Sequence, residues 1–232
     1  MKSAVLHISG VRRRYQGLRP LRINALAIEP GERVALSGLD AGAAEVLVNL
    51  VTGASVPDEG EVAVTGRTTA SIADGEEWLA SLDRFGIVSP RAVLLDSATL
   101  LQNLAMPLSL EIEPVPAGIA ARVKELAREA GIDENRLAQP IAALDAATRA
   151  RAHLVRAVAL DPALLILEHP TVGMASGDAK PFGESVARIA GARSLATLII
   201  SEDDEFAAAA ATRRLVLHAG SGDLKPKRRW WR

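Results

Sequence analysis

Residues 31–53 read Gly31-Glu-Arg-Val-Ala-Leu-Ser-Gly38-Leu-Asp-Ala-Gly-Ala-Ala-Glu-Val-Leu-Val-Asn-Leu-Val-Thr-Gly53. A Pro30-Gly31 turn opens the stretch, and the apolar run Arg33–Leu36 predicts a strand with a glycine at its end. Ala43–Val51 is built from helix formers and predicts a helix, which Gly53 closes. A turn, a buried strand, a glycine and a helix in that order make the opening unit of an α/β fold.

The pattern continues on both sides. Ala4–Ile8 and Arg22–Ile28 read as strands before it, and Glu61–Val64, Gly86–Val88, Leu164–Leu167, Leu195–Ile200 and Leu215–His218 after it. Helices are expected near Glu76–Leu82, Pro181–Ala190 and Glu205–Thr212. From Thr99 to Leu160 the pattern is almost wholly helical, broken at Pro107, Pro114, Pro116 and Pro140. Leu164–Leu167 and Leu195–Ile200 are largely apolar, as strands of a parallel sheet covered on both faces must be. The expectation is an α/β fold with a mostly parallel core sheet, an antiparallel β part and an inserted helical lobe.

Composition narrows the function classes. The 232 residues are 49% hydrophobic but only 3% aromatic, so Ala, Leu and Val fill the core. The formal net charge of −1 argues against a nucleic-acid binder driven by bulk charge. With no cysteine, disulfides, thiol catalysis and zinc–thiolate sites are excluded. No secretory signal is visible after Met1, and no run of about eighteen apolar residues spans a bilayer. The expected location is the cytoplasm, peripheral at the inner face of the membrane. At the other end, Lys225-Pro-Lys-Arg-Arg-Trp-Trp-Arg232 forms a basic and aromatic tail.

Gly31–Gly38, Asn49-Leu-Val-Thr-Gly53 and Pro57-Asp-Glu-Gly-Glu-Val62 follow one another in a particular order and spacing. Gln102-Asn-Leu-Ala-Met-Pro-Leu108, Arg151–Ala159 and Asp161-Pro-Ala-Leu-Leu-Ile-Leu-Glu-His-Pro-Thr171 continue the series. This collinear set resembles the ATP-binding subunit family of ABC transporters over nearly the whole chain. The resemblance implies a P-loop NTPase-type fold: a β part and P-loop-like core at 1–98, a helical lobe at 99–160, the remaining core at 161–220, and the tail at 221–232. It also implies ATP and Mg²⁺ as cofactors, a membrane permease as partner, and a homo- or heterodimer with another ABC-type chain. Leu94–Leu108 resembles the region that receives a permease's coupling helix.

The positions that the resemblance assigns to chemistry carry unusual residues. A loop of the form G-x-x-x-x-G-K-[ST] binds phosphates through backbone amides, a lysine and a magnesium-holding hydroxyl. The aligned stretch is Gly38-Leu-Asp-Ala-Gly-Ala-Ala-Glu45, where Gly38, Asp40 and Gly42 fall in the loop. Ala43 replaces its second glycine, Ala44 its lysine and Glu45 its hydroxyl. Two unit charges ~4 Å apart interact by ~4 kcal/mol at an effective dielectric near 20, enough to reverse a preference for phosphate. Alternatively, Glu45 or Asp40 satisfies the helix amides itself.

Pro90 stands at the glutamine that normally meets the metal, and Leu144-Asp145-Ala-Ala-Thr148 at the Leu-Ser-Gly-Gly-Gln signature. Asp145 would repel a γ-phosphate, or simply cap a helix. Glu168 replaces the magnesium-organising aspartate, His169 the glutamate that polarises water, and Glu202 the switch histidine. Histidine can act as a general base, so His169 alone does not forbid catalysis. Tyr15, the chain's one tyrosine, stands where the family stacks adenine.

These replacements predict a degenerate ABC subunit with weak Mg-ATP binding and negligible hydrolysis. The alternatives are a divergent ATPase using Glu168, His169 and Glu202 with Mg²⁺ held by Glu168 and Glu45, a soluble interaction module without a permease, and a metal site of Glu45, Glu168, His169 and Glu202. The tail is expected to touch anionic lipid or an acidic partner face.

Overall fold

A computed structural model of the chain describes residues 4–175 and 177–227. Strands β1 (Leu6–Arg13) and β2 (Leu21–Ile28) come first, and β3 (Arg33–Ser37) leads into helix α1 (Ala41–Val51). Next are β4 (Glu59–Val64), β5 (Arg67–Thr68), α2 (Gly75–Ser81) and β6 (Phe85–Val88). The lobe carries α3 (Leu100–Ala105), α4 (Ala117–Glu129) and α5 (Ala146–Val158). The core resumes with β7 (Leu164–Glu168), α6 (Ala179–Ala192), β8 (Ala196–Ile200), α7 (Asp204–Ala210), β9 (Arg213–His218) and β10 (Asp223–Pro226).

Two sheets result. One is antiparallel, in the order β2-β1-β4-β5. The other runs β10-β9-β3-β8-β7-β6, with β9, β3, β8, β7 and β6 parallel and β10 antiparallel at the edge. The mostly parallel core sheet, the antiparallel part and the helical lobe expected from the sequence are all present.

Alternation along the central strands separates two cores. Leu165, Leu167 and Ile199 face the lobe side, where Phe182 of α6 stacks on Phe206 of α7 with centroids 5.4 Å apart. Val34, Leu36, Leu164, Ile166, Leu198 and Ile200 face the opposite core, shared with α1 and the antiparallel sheet. Because both faces are covered, β7 and β8 are largely apolar, with only Glu168 and Thr197 polar, and every residue in them is buried.

The structure departs from the sequence expectation at both ends. β1 continues past Ile8 to Arg13 because its arginines are held from the side: Arg12 pairs with Glu59 at 3.1 Å and Arg13 with Asp58 at 2.8 Å. The start of the expected tail is strand β10, whose register on β9 depends on backbone pairing and not on an apolar pattern. Pro226 is tolerated there because β10 is an edge strand. Lys227 continues the attachment, donating its N–H to the Arg214 carbonyl and pairing with Asp204 at 2.5 Å. Residues 228–232 of the expected basic aromatic tail, with both of its tryptophans, lie outside the described residues.

Gly38 makes the turn out of β3. Its φ is +87°, and an added Cβ would lie 2.6 Å from the Leu217 carbonyl oxygen. Left-handed strain and overpacking each cost ~1–3 kcal/mol. Gly38→Ala is therefore expected to lower stability by about 3 kcal/mol in urea denaturation. A loss below ~0.5 kcal/mol would mean that the turn relaxes freely.

Candidate functional site

Four adjacent parallel strands end side by side, in the order β3, β8, β7 and β6. Gly38 follows the end of β3, Glu202 follows β8, Glu168 is the last residue of β7 and Ser89 follows β6. In open α/β sheets the crevice outside the carboxyl ends of the strands is where ligands bind. The crevice here is filled with the chain's own charges.

At the phosphate-loop position, Asp40 has an extended backbone and caps α1, its Oδ1 accepting the Ala43 N–H at 2.8 Å. The Gly38 N–H donates to Glu202 Oε1 at 2.6 Å, a charge-assisted bond. Ala44 is fully buried, its N–H spent on the Asp40 carbonyl at 2.8 Å and its methyl within the core. Two carboxylates thus bond amides of this segment, and no cation stands at the lysine position. Of the two carboxylates expected to satisfy the helix start, Asp40 does so and Glu45 does not.

Glu45 turns instead to Arg91, whose Nη1 lies 2.6 Å from Glu45 Oε1. The Nη2 of the same guanidinium is 2.8 Å from Glu168 Oε2, and the Ser89 hydroxyl donates to that oxygen at 2.7 Å. Glu168 is only 3% exposed, so its charge requires these partners. Sequence reasoning stopped at Pro90 and missed its neighbours Ser89 and Arg91. The available signal was a cation in a loop destined for two carboxylates that had no other partner.

His169 adopts φ +41°, uncommon for a residue with a Cβ, and its N–H donates to the Ile200 carbonyl at 2.8 Å. Its Nε2 has no hydrogen-bond partner among the described residues. The ring lines a cavity of about 250 Å³ with Ser89, Pro90, Arg149, His153 and Val172. Glu202 is drawn away to Gly38, and no cluster of three or more metal-ligating side chains forms among the described residues. The four-residue metal site of Glu45, Glu168, His169 and Glu202 is not assembled.

At the signature position, Leu144 is buried in the lobe-side core. Asp145 caps α5, with Oδ1 on the Thr148 N–H and Oδ2 on Arg136, both at 2.7 Å. These donors, the Thr148 N–H foremost, pull its pKa down to about 2 against a smaller effect of burial. This is the helix-cap role.

Tyr15 borders a separate cavity of about 360 Å³ with Arg19, Arg22, Gly38, Asp40 and Leu217. Its ring lies over Gly42, where an added Cβ would approach within 3.2 Å. Burial and then the Asp40 charge raise the pKa of its hydroxyl. The cavity thus has an aromatic wall and two arginines. The positions that the resemblance gives to the triphosphate and Mg²⁺ are occupied by the chain's own groups. Glu202 covers the Gly38 amide, the lysine position is a buried methyl, and the two carboxylates at the metal position already hold a guanidinium.

The fold is shared with solved ATP-binding cassettes. The dimeric cassette MJ0796 in a post-hydrolysis state bound to ADP and Pi superposes with a TM-score of 0.77 at 20% identity, covering 97% of this chain and 100% of that one. CbiO1 from Clostridium perfringens, part of the ABC transporter complex cbiONQ, gives 0.80 at 18% identity over 96% and 87%. Residues 21–172 match the family model for the ABC transporter, and the chain belongs to that family. Among relatives, the Fe(3+) ions import ATP-binding protein FbpC 2 of Rhodococcus jostii is 29% identical over 93% of this chain and 60% of its own length. The chain therefore spans about three-fifths of that relative. The lipoprotein-releasing system ATP-binding protein LolD of Psychrobacter arcticus is 27% identical over 84% of this chain and 85% of its own.

His153, on the cavity wall, has its pKa lowered from the ordinary 6.5 to about 4, by burial first and then by the Arg156 charge. The unfolded chain takes up this proton near 6.5 and the folded chain only near 4, so acidification between those values favours unfolding. Stability contributed by neutral His153 is fully present above pH 6.5 and is lost by about pH 4. Urea midpoints measured across that window are expected to rise with pH, and His153→Gln to flatten the slope. An unchanged slope in the variant would assign the pH dependence to other groups.

Proposed function

We propose that this chain is the ATP-binding-type subunit of an ABC transporter, coupled to a membrane permease, that has given up ordinary Mg-ATP hydrolysis. The observation that carries the reading is the Glu202 carboxylate on the Gly38 amide, where a phosphate oxygen would have to bind. The missing cation at Ala44 supports the same conclusion: an incoming polyphosphate meets negative charge and no lysine.

Relatives named for Fe(3+) import and for lipoprotein release support a transport role without choosing a cargo. No helix among the described residues is long and apolar enough to cross a membrane. The exposed Val93 and Leu95, before the lobe, support docking there. Pairing with a second cassette, as in dimeric MJ0796, belongs to the same proposal, as does contact of residues 228–232 with anionic lipid at the cytoplasmic face. A second reading, a divergent ATPase, draws on His169, which lines a cavity and whose buried Nε2 has no partner among the described residues.

Calorimetry with ATP, with and without Mg²⁺, tests the proposal. The expected dissociation constant is in the high micromolar range or weaker, roughly −5 kcal/mol or less of binding free energy, with no steady turnover. Glu202→Ala frees the Gly38 amide and removes one negative charge, and should tighten ATP binding about tenfold, roughly 1.4 kcal/mol. Submicromolar binding by the unaltered chain, or turnover abolished by His169→Ala, would favour the ATPase reading. Failure to co-purify with a polytopic membrane protein would remove the permease.

A further inference from the structure

The arginine between Glu45 and Glu168 is locked along its whole length. At its root, the Arg91 backbone N–H and Nε both donate to the Ser89 hydroxyl oxygen, at 3.2 and 3.4 Å. At its tip, Nη1 meets Glu45 at 2.6 Å and Nη2 meets Glu168 at 2.8 Å. The same Ser89 hydroxyl donates to Glu168, closing a ring of three side chains, Ser89, Glu168 and Arg91, with Glu45 joined to the arginine alone.

Two carboxylates from different elements, one of them buried, converge with a hydroxyl on a single positive group. Oxygen sets of this kind take hard divalent cations such as Mg²⁺ or Mn²⁺. Glu168 ends β7, Glu45 lies in the first turns of α1 and Ser89 follows β6, so the carboxyl edge of the sheet brings all three to one guanidinium. A divalent ion cannot share that point with a guanidinium already 2.6 and 2.8 Å from the two carboxylates, since like charges this close repel strongly.

We infer that Arg91 is a tethered resident cation that takes the place of a divalent metal at the Glu45–Glu168 pair. The site keeps positive charge against its buried carboxylate at any metal concentration. Metal-free folding and exclusion of divalent ions are two consequences of one side chain. The inference is independent of the nucleotide reading, because every group in it belongs to the chain alone.

The test uses Mn²⁺ as probe, without nucleotide, on the full chain. Thermal unfolding is followed with and without MnCl₂, and Mn²⁺ binding by electron paramagnetic resonance. The unaltered chain is expected to show no Mn²⁺ binding sensitive to Glu168→Gln and no shift in Tm. Arg91→Ala should lower Tm in metal-free buffer, regain most of the loss with MnCl₂, and bind Mn²⁺ at least tenfold more tightly. Adding Glu168→Gln to Arg91→Ala should abolish that rescue, whereas Arg91→Lys should keep Mn²⁺ out. If Arg91→Ala folds only when MnCl₂ is present, the metal has replaced the guanidinium and the inference stands. Two results overturn it: Mn²⁺ binding by the unaltered chain as tight as by Arg91→Ala, or a folded Arg91→Ala that gains none. Should Arg91→Ala and Arg91→Gln both stay unfolded with and without MnCl₂, the arginine is a packing element no ion can replace, and the inference fails.

Discussion

Parallel backbone pairing among β3, β8, β7 and β6 is the constraint on which the site depends. Leu36 sits opposite Ile200, Leu167 opposite Ile199, and Val88 opposite Leu167. Once these registers are set, residues at and just past the strand ends have little choice of neighbour. Gly38 must lie beside Glu202, and Glu168 beside Ser89. The registers are in turn held by burial on both faces, since a one-residue slip would exchange the two cores' side chains across the sheet.

Charge is then arranged so that the crevice is satisfied from within. A family member with lysine and hydroxyl in its loop leaves amides open to an anion and carboxylates open to a metal. In this chain Asp40 and Glu202 take amides of the loop, while Arg91 takes the carboxylates. Without Arg91, the buried Glu168 would keep only the Ser89 hydroxyl as partner, which is costly. Glu45 and Arg91 make sense only as a pair, and the same holds for Glu202 and the exposed Gly38 amide.

That mutual compensation explains how the fold tolerates so many changed motif residues. Two apolar cores are packed on the faces of the sheet, and relatives of 25–29% identity align over most of the chain. The changed residues lie at strand ends and helix starts. There a new hydrogen bond or ion pair can replace an external ligand without disturbing the packed layers.

Residue types and spacing were enough to determine the α/β class, the parallel strands and the helical lobe, because a strand buried on both faces leaves an apolar run that no other element needs. Set beside the family resemblance, they also put Ala44, Glu45, Pro90 and Asp145 where lysine, hydroxyl, glutamine and signature serine are expected. The Asp145 cap was legible too, because a cap bonds three residues along its own chain. What each replacement does instead was decided only by tertiary structure. Gly38 and Glu202 are 164 residues apart, and Arg91 and Glu168 are 77 apart. No local pattern records such pairs. Strand β10 was missed for the same reason, because its stability comes from backbone bonds to β9 that its own side chains do not announce.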